Sequence, residues 1–153
     1  MIEYKIATAK DIELLMSSRL EMLKVVNNLD ETYEFSREIV DYSRDYFLNG
    51  DQVTVLAIDG DRAIGCASMS FIRIMPTFSH PSGNRAHLMN VYTADDYRRQ
   101  GIARKMVNML IEDTWKRGAT EISLDATTLG RPLYESLGFT ASTECMVLER
   151  PKN

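Results

Sequence analysis

The spacing of apolar residues changes period several times along the chain, and each change predicts a new secondary-structure element. Apolar and polar residues alternate over Ile2–Ile6, which is the pattern of a half-buried strand. Thr8 and Asp11 then offer helix-capping side chains, and apolar residues three and four positions apart predict an amphipathic helix that ends near Val26. A second helical pattern covers 32–49. The chain therefore opens with a strand and two helices.

The rest of the chain shows strand patterns and two further helices. The predicted strands cover 53–58, 63–74, 87–93, 121–125 and 145–148, and the predicted helices cover 101–116 and 130–137. Asp59-Gly60 predicts a hairpin turn, and 76–85, with two prolines and a glycine, predicts a loop. The order of elements predicts a mixed α/β fold in which one sheet is flanked by helices. Because no repeat or linker divides the chain, we expect 1–153 to be a single domain.

Composition and charge narrow the classes of function. The 153 residues are 44% hydrophobic and carry a formal net charge of −4, so the chain lacks the overall positive charge that gathers nucleic acid or anionic membranes. It has no apolar stretch long enough to span a membrane and no apolar run typical of a secretory signal, so we expect a cytoplasmic protein. Cys66 and Cys145 lack the spacing of metal ligands, so we expect no metal site. We expect both cysteines to be small residues of the core.

A candidate ligand site lies where the predicted strand 87–93 runs into the helix 101–116. Arg98, Arg99 and Gly101 stand just before that helix. Unpaired N–H groups in the first turn of a helix bind anions, and a glycine lets a ligand approach the main chain. A solvated basic surface with a simple glycine turn would give the same pattern. The P-loop and dinucleotide-binding signatures are absent, so an anion site here would be of another kind.

Two motifs resemble those of one enzyme superfamily. The sequence RRQGIA at 98–103 fits the R/Q-x-x-G-x-G/A signature of the GCN5-related N-acetyltransferase (GNAT) superfamily, between a strand and a helix as in that family. Further along, PLYESLGF at 132–139 looks like the family's LYEKLGF segment. The resemblance implies a mostly antiparallel sheet that is split between its fourth and fifth strands. It also implies an N-acetyltransferase whose acetyl-CoA lies in that split.

The resemblance assigns roles to individual residues. It implies that the main-chain amide of Val91 holds the acetyl carbonyl oxygen, and that the Tyr134 hydroxyl is the general acid for the departing thiolate. Thr127 stands where the family often has asparagine, but its hydroxyl can still contact the cofactor. The residues expected to bind acetyl-CoA are Val91, Thr93, Arg98, Arg99, Gln100, Gly101, Ile102, Ala103, Arg104 and Thr127.

The general base is less determined by the motifs. His87 lies on the strand that leads to the anion site, at the position of the glutamate that is the base in the histone-acetylating branch of the family. Imidazole can accept the proton of an ammonium group near neutral pH. A structural role for His87 is the alternative, with a water chain to carboxylates or to Tyr92 carrying the proton instead.

The acceptor and the assembly stay open. In the family the acceptor enters beside the first two helices and the loop here at 76–85. Carboxylates on or before the second helix would attract a cationic amine, although a solvated helix face explains them equally; these are Glu31, Glu34, Glu38, Asp41 and Asp45. A small-molecule amine or a protein amine would fit. Dimers are common in the family, although no residue pattern here establishes one. The alternative to an enzyme is an acyl-CoA-binding regulatory or scaffold module.

Overall fold

The computed structural model describes residues 1–152, and within them five strands form one sheet in the order of the chain. The strands are β1 (Ile2–Ile6), β2 (Gln52–Asp59), β3 (Arg62–Arg73), β4 (Asn84–Thr93) and β5 (Ile122–Leu124). The helices are α1 (Ile12–Val26), α2 (Arg37–Asn49), α3 (Ile102–Lys116) and α4 (Arg131–Ser136). Strands β1 to β4 pair antiparallel, whereas β4 and β5 pair in parallel. The predicted mixed α/β fold is therefore confirmed.

Side-chain caps set where the first two helices begin. Thr8 and Asp11 form a capping box around a short 3-10 turn that leads into α1. The Asp11 carboxylate accepts the Thr8 N–H, and the Thr8 hydroxyl accepts the Lys10 N–H. Helix α2 begins later than the predicted 32–49, since the Ser36 hydroxyl accepts the N–H of Ile39 and caps it there. None of the helices in residues 1–152 is long and apolar enough to cross a bilayer.

The core lies between the sheet and the helices α1 and α3. Its largest fully buried side chains include Leu56 of β2, Ile64 and Met69 of β3, and Met106 and Leu110 of α3. Truncating such a residue to alanine typically costs about 2–5 kcal/mol, because the surrounding side chains fill the cavity only in part. This packing fixes the position of β4 and of the N-terminal end of α3.

The C-terminal end of the chain departs from the prediction. The expected last strand at 145–148 is wrong, because within residues 1–152 no strand follows α4. Met146 and Leu148 are 93% and 99% exposed. An apolar run becomes a strand only when its main chain pairs with a neighbour, and this segment makes no such pairing. Cys145, expected in the core, is exposed for the same reason, whereas Cys66 is fully buried.

Candidate active site

A cleft opens where strands β4 and β5 diverge. The two strands pair only over Ala86–Leu88, opposite Ile122–Leu124, while β4 continues to Thr93. The expected split between the fourth and fifth strands is therefore confirmed. A cavity of about 650 Å³ lies in the split, which is within the usual size range of small-molecule sites.

Almost all of the residues proposed from the sequence line this cavity. They are His87, Val91, Thr93, Arg98, Arg99, Gly101, Ile102, Ala103, Arg104, Thr127 and Tyr134. Gln100 does not line it. Three segments that are distant in sequence, the end of β4, the start of α3 and the start of α4, therefore meet at one site.

A β-bulge at Asn90 shapes the wall that β4 contributes. The β3–β4 register places Cys66 opposite Tyr92 and Ser68 opposite Met89, so one more residue of β4 than of β3 lies between these pairs. Asn90 has a φ of 59°, in the left-handed region. Its carbonyl accepts the Cys66 thiol at 3.3 Å. The bulge therefore lies directly before Val91, the proposed donor to the acetyl oxygen.

The N-terminal end of α3 forms the opposite end of the cavity. Gly101 is the N-cap residue with a φ of 78° and no side-chain capping bond, and Arg99 has a φ of 64°. The first intrahelical bond runs from the Lys105 N–H to the Gly101 carbonyl at 3.0 Å. The N–H groups of 102–104 therefore have no acceptor inside the helix and are available to an anion.

The three arginines near this end have different contacts. Arg98 donates from Nε to the Thr93 carbonyl at 3.1 Å, and its Nη1 lies 3.4 Å from Asp95. Arg104 donates to the Ser136 hydroxyl of α4 at 2.6 Å. Arg99 is exposed and makes no ion pair among residues 1–152. Asp95 therefore neutralises part of the charge of Arg98, and Arg104 links α3 to α4 through Ser136.

Tyr134 lies on α4, with its ring held by packing. The ring contacts Phe139 edge-on at 6.0 Å between centroids. A Cβ added at Gly130 would lie 3.1 Å from the Tyr134 ring and 3.2 Å from the Thr127 hydroxyl, so a larger residue there would shift these side chains by a few tenths of an ångström. Thr127 accepts the Gly130 N–H at 3.0 Å. Burial raises the pKa of Tyr134, so its phenol keeps its proton at neutral pH.

Two side chains hold His87, one from Ser123 in β5 and one from Asp125 directly after β5. Its Nδ1 lies 2.7 Å from the Ser123 hydroxyl, and its Nε2 lies 3.6 Å from the carboxylate of Asp125. The Ser123 hydroxyl also lies 3.4 Å from the Ala86 carbonyl. The Ser123 hydroxyl has one proton, so it either donates to Nδ1 or, when it bonds Ala86, accepts from Nδ1–H. The second arrangement leaves the lone pair of the neutral imidazole on Nε2.

Sequence reasoning missed three polar residues of the site: Asn90, Ser123 and Asp125. Asn90 carried a signal, since asparagine is rare inside strands but common in left-handed backbone, and it interrupts the run LMNVYT. Ser123 and Asp125 had no local signal. Their distance from His87 depends on the β4–β5 register, which pairs residues 36 positions apart.

The comparisons with known proteins agree with this geometry. Residues 20–139 match the model of the Acetyltransferase (GNAT) family. The chain belongs to the GNAT family. A crystal structure of a predicted acetyltransferase with acetyl-CoA from Clostridium acetobutylicum is similar to this GNAT chain with a TM-score of 0.84 and 30% identity. That match covers 97% of this chain and 96% of that one.

Two further relatives are similar to this chain in fold alone or over only part of their length. A GCN5-related N-acetyltransferase from Ralstonia eutropha has a TM-score of 0.79 at 21% identity, over 99% of both chains, and supports the fold alone. A [ribosomal protein bS18]-alanine N-acetyltransferase of Escherichia coli is 36% identical over 63 residues. These are 39% of this chain and 43% of that protein, so the GNAT chain spans less than half of the length of this curated relative.

Proposed function

We propose that this chain is an N-acetyltransferase that moves the acetyl group of acetyl-CoA to a primary amine by direct attack. The observation that carries the proposal is the cavity between β4, α3 and α4. It brings free helix N–H groups, an unpaired strand edge, a half-buried tyrosine and a histidine to one place. Membership of an acetyltransferase family supports the same reaction.

The residues of the cavity fit acetyl-CoA. The hydroxyl oxygen of Thr93 is buried and has no hydrogen-bond partner within residues 1–152, so a polar ligand in the cleft would satisfy it. Beyond Leu88 the main chain of β4 is not paired with β5, and could bond the amides of a pantetheine arm. The N–H groups of 102–104 suit a diphosphate. Acetyl-CoA would supply an acetyl group activated as a thioester.

The Val91 amide and the Tyr134 hydroxyl act on two different atoms of the thioester, the carbonyl oxygen and the sulfur. Val91 lines the cavity directly after the bulge, and its N–H would stabilise the negative charge that develops on the carbonyl oxygen. Tyr134 holds a proton at neutral pH, because burial raises its pKa, and would give that proton to the departing sulfur. Within residues 1–152 the Tyr134 side chain makes no hydrogen bond that would compete for this proton.

His87 is the base in this proposal. In the tautomer with its hydrogen on Nδ1, Nε2 would take the proton of the amine, and Asp125 would stabilise the imidazolium that results. Tyr92 is the weaker candidate. Its hydroxyl donates to Glu21 at 2.8 Å, and burial together with that carboxylate raises the pKa of Tyr92, so the phenol is a poor proton acceptor.

The acceptor is proposed to be a cationic amine that enters from the side of α1 and α2. Glu38, Asp41 and Asp45 line a shallow depression on α2 together with Tyr42, and carboxylates attract an ammonium group. Small-molecule amines and protein amines both meet this requirement. Because the E. coli relative is by name an alanine N-acetyltransferase for a ribosomal protein, peptides with a free N-terminus belong among the amines to be tested.

Calorimetric titration tests the cofactor first. We expect acetyl-CoA to bind more tightly at low salt than at high salt, since part of the site is an anion site. Desulfo-CoA, which lacks the thioester, and a longer acyl-CoA measure what the acetyl group and the size of the pocket contribute. If none of the three binds, the proposal is wrong and the chain is a scaffold.

A panel of amines then tests the reaction through release of the CoA thiol. Polyamines, aminoglycosides, amino acids and short peptides cover the acceptors that the charge pattern allows. Turnover with at least one of them is expected, and Tyr134→Phe should abolish most of it. Tight acetyl-CoA binding without turnover across the panel would favour a regulatory acyl-CoA-binding module instead.

A further inference from the structure

A chain of side-chain hydrogen bonds reaches the bulge of β4 from helix α1. Arg19 donates from Nη1 to Oδ1 of Asn90 at 3.0 Å. Asn90 in turn donates from Nδ2 to the Ser68 hydroxyl of β3 at 3.1 Å. The orientation of the Asn90 amide is fixed, because the guanidinium of Arg19 has only donors and must face the carbonyl oxygen.

The same chain continues across the sheet to helix α2. The Ser68 and Thr54 hydroxyls lie 2.7 Å apart. Thr54 gives its proton to Gln52 Oε1 at 2.7 Å, so Ser68 must be the donor to Thr54. Gln52 then donates to the Phe47 carbonyl at 3.1 Å. Every donor in the chain therefore points the same way, from the cation on α1 to a main-chain oxygen on α2.

The middle of this hydrogen-bond chain is buried, and a buried polar group that loses its partner destabilises the protein. Ser68 and Thr54 are 5% and 1% exposed, and burial lowers the pKa of Arg19. Within residues 1–152 no carboxylate lies within ion-pair distance of Arg19. Its partner is instead the side chain of the one residue of β4 that has left-handed backbone.

We infer that Asn90 is a positioning residue for the acetyl group, held by Arg19 and Ser68 so that its left-handed backbone presents the Val91 amide to the carbonyl oxygen. The inference rests on the proposed function, since Val91 has this role only if acetyl-CoA binds. Asn90 touches no reacting atom in this scheme. It acts through the main chain of the next residue.

The substitution Asn90→Gly separates conformation from hydrogen bonding. Glycine adopts the same φ without strain but removes both side-chain bonds. The matched control is Asn28→Gly, because Asn28 also has a left-handed φ, of 53°, and lies exposed in the loop after α1. Ser68→Ala keeps the asparagine but removes the acceptor of its amide, together with the donor to Thr54, and it serves as the second variant if Asn90→Gly does not fold.

The experiment measures the affinities of acetyl-CoA and of CoA for each variant by calorimetry, after circular dichroism has established folding. The ratio of the two Kd values reports the acetyl contact alone. We expect wild type and Asn28→Gly to prefer acetyl-CoA. Asn90→Gly should lose roughly two- to tenfold of that preference, the size of one hydrogen bond, while CoA affinity changes less than twofold. Ser68→Ala should also reduce the preference for acetyl-CoA, but less than Asn90→Gly does.

Three outcomes overturn the inference. If both affinities fall together in Asn90→Gly, the residue has only a structural role. If the preference for acetyl-CoA survives in the folded variants, the side-chain bonds do not position Val91. If wild type binds acetyl-CoA and CoA equally, Val91 does not hold the acetyl oxygen, although cofactor binding stands. By contrast, wild type that binds neither ligand overturns the proposed function itself.

Discussion

The two ends of the cleft are built from different kinds of atoms. At the α3 end, the groups available to a ligand are main-chain N–H groups, made accessible by Gly101 and by the left-handed backbone of Arg99. At the β4–β5 end the main chain of β4 is joined by side chains, with His87 held by Ser123 and Asp125 and with the bulge before Val91 held by Asn90. The difference suggests that the first end binds and the second end carries the chemistry.

This division predicts that mutations at the two ends change different kinetic quantities. Loss of a main-chain contact at the α3 end should weaken the binding of acetyl-CoA and of CoA alike. Removal of a side chain that moves a proton should lower kcat and leave both affinities unchanged. The following substitutions test the division, beginning with the largest expected effect.

Tyr134→Phe should give the largest change in turnover. A positioned general acid contributes roughly 10²- to 10⁴-fold, so kcat should fall by that factor while the calorimetric Kd for acetyl-CoA stays within twofold. The ring stays packed on Phe139, because the substitution removes only the hydroxyl. Since the raised pKa keeps the phenol protonated, wild-type turnover should show no loss attributable to Tyr134 below pH 10, the ordinary pKa of tyrosine.

Tyr33→Phe is the matched control for this substitution. Tyr33 is half exposed and packs edge-on against Phe35 in the loop before α2, away from the residues that line the cavity. Its kcat should equal that of wild type. A loss below threefold in Tyr134→Phe would show that water protonates the departing thiolate, and the chemical end would then lack its acid.

Gly101→Glu should give the largest change in binding, roughly a 10²-fold loss of acetyl-CoA affinity. A Cβ at this position meets no atom within 4 Å, so the effect is not a steric clash in the free protein. It comes from a non-glycine residue at a φ of 78°, which costs about 1–2 kcal/mol, and from a carboxylate placed beside the proposed diphosphate site. Calorimetry with acetyl-CoA and CoA measures it, and both affinities should fall equally.

Gly60→Glu controls for conformational strain. Gly60 lies in the β2–β3 turn with a φ of 66°, and a Cβ there also meets nothing within 4 Å. Its thermal stability should fall about as much as that of Gly101→Glu, without any change in CoA affinity. Equal affinity losses in the two variants would mean that the α3 end is not the anion site.

The same division explains what the sequence could predict. Main-chain sites depend on local conformation, so the glycine of RRQGIA and its place between a strand and a helix were enough to predict the α3 end. Asn90 and Arg19 are 71 positions apart and meet only after α1 has packed on the sheet. No local pattern encodes such a pairing.

The elements followed the same rule. Capping residues and the Gly60 turn are local, and the predicted first helix and hairpin are close to those observed. The predicted strand at 145–148 depended on a neighbour to pair with, and the sequence pattern could not show that it has none. Helix α2 is the intermediate case, since its core was predicted but its start depended on which of several polar residues became the cap.

His87→Gln should lower kcat by roughly 10- to 100-fold, less than the acid substitution, because an exposed cleft admits water as a substitute base. A base that must be unprotonated makes the rate fall as pH is lowered, and this acid limb should disappear in the variant. The pH profile of kcat with an acceptor from the panel measures it. Asp125→Asn should keep the limb but reduce kcat, since the carboxylate only stabilises the imidazolium.

His80→Gln is the matched control, since the chain has only these two histidines. His80 lies in the β3–β4 loop, where it bonds Thr120 at 2.8 Å and lies 3.4 Å from Glu121. Its variant should retain the wild-type profile. An acid limb that persists in His87→Gln would place the base elsewhere, and the chemical end of the cleft would then extend beyond β4 and β5.

Arg98→Ala should have the smallest effect, about a two- to fivefold loss of acetyl-CoA affinity. The side chain is exposed and its charge is shared with Asp95, and exposed ion pairs contribute only about 0.2–1 kcal/mol. The loss should shrink as salt is added, because exposed charges are screened. If main-chain groups do most of the binding, the acetyl-CoA affinity of the variant should equal that of wild type at high salt.

Arg117→Ala separates this local effect from the change in net charge. Arg117 also pairs with an aspartate, Asp113 at 2.7 Å, but it follows the last turn of α3 and so lies about 22 Å from the anion site, at 1.5 Å of rise per residue. Its affinity should match wild type at every salt concentration. A loss above about 30-fold in Arg98→Ala, persisting at high salt, would mean that this end of the cleft also binds through a side chain, and the contrast between the two ends would no longer hold.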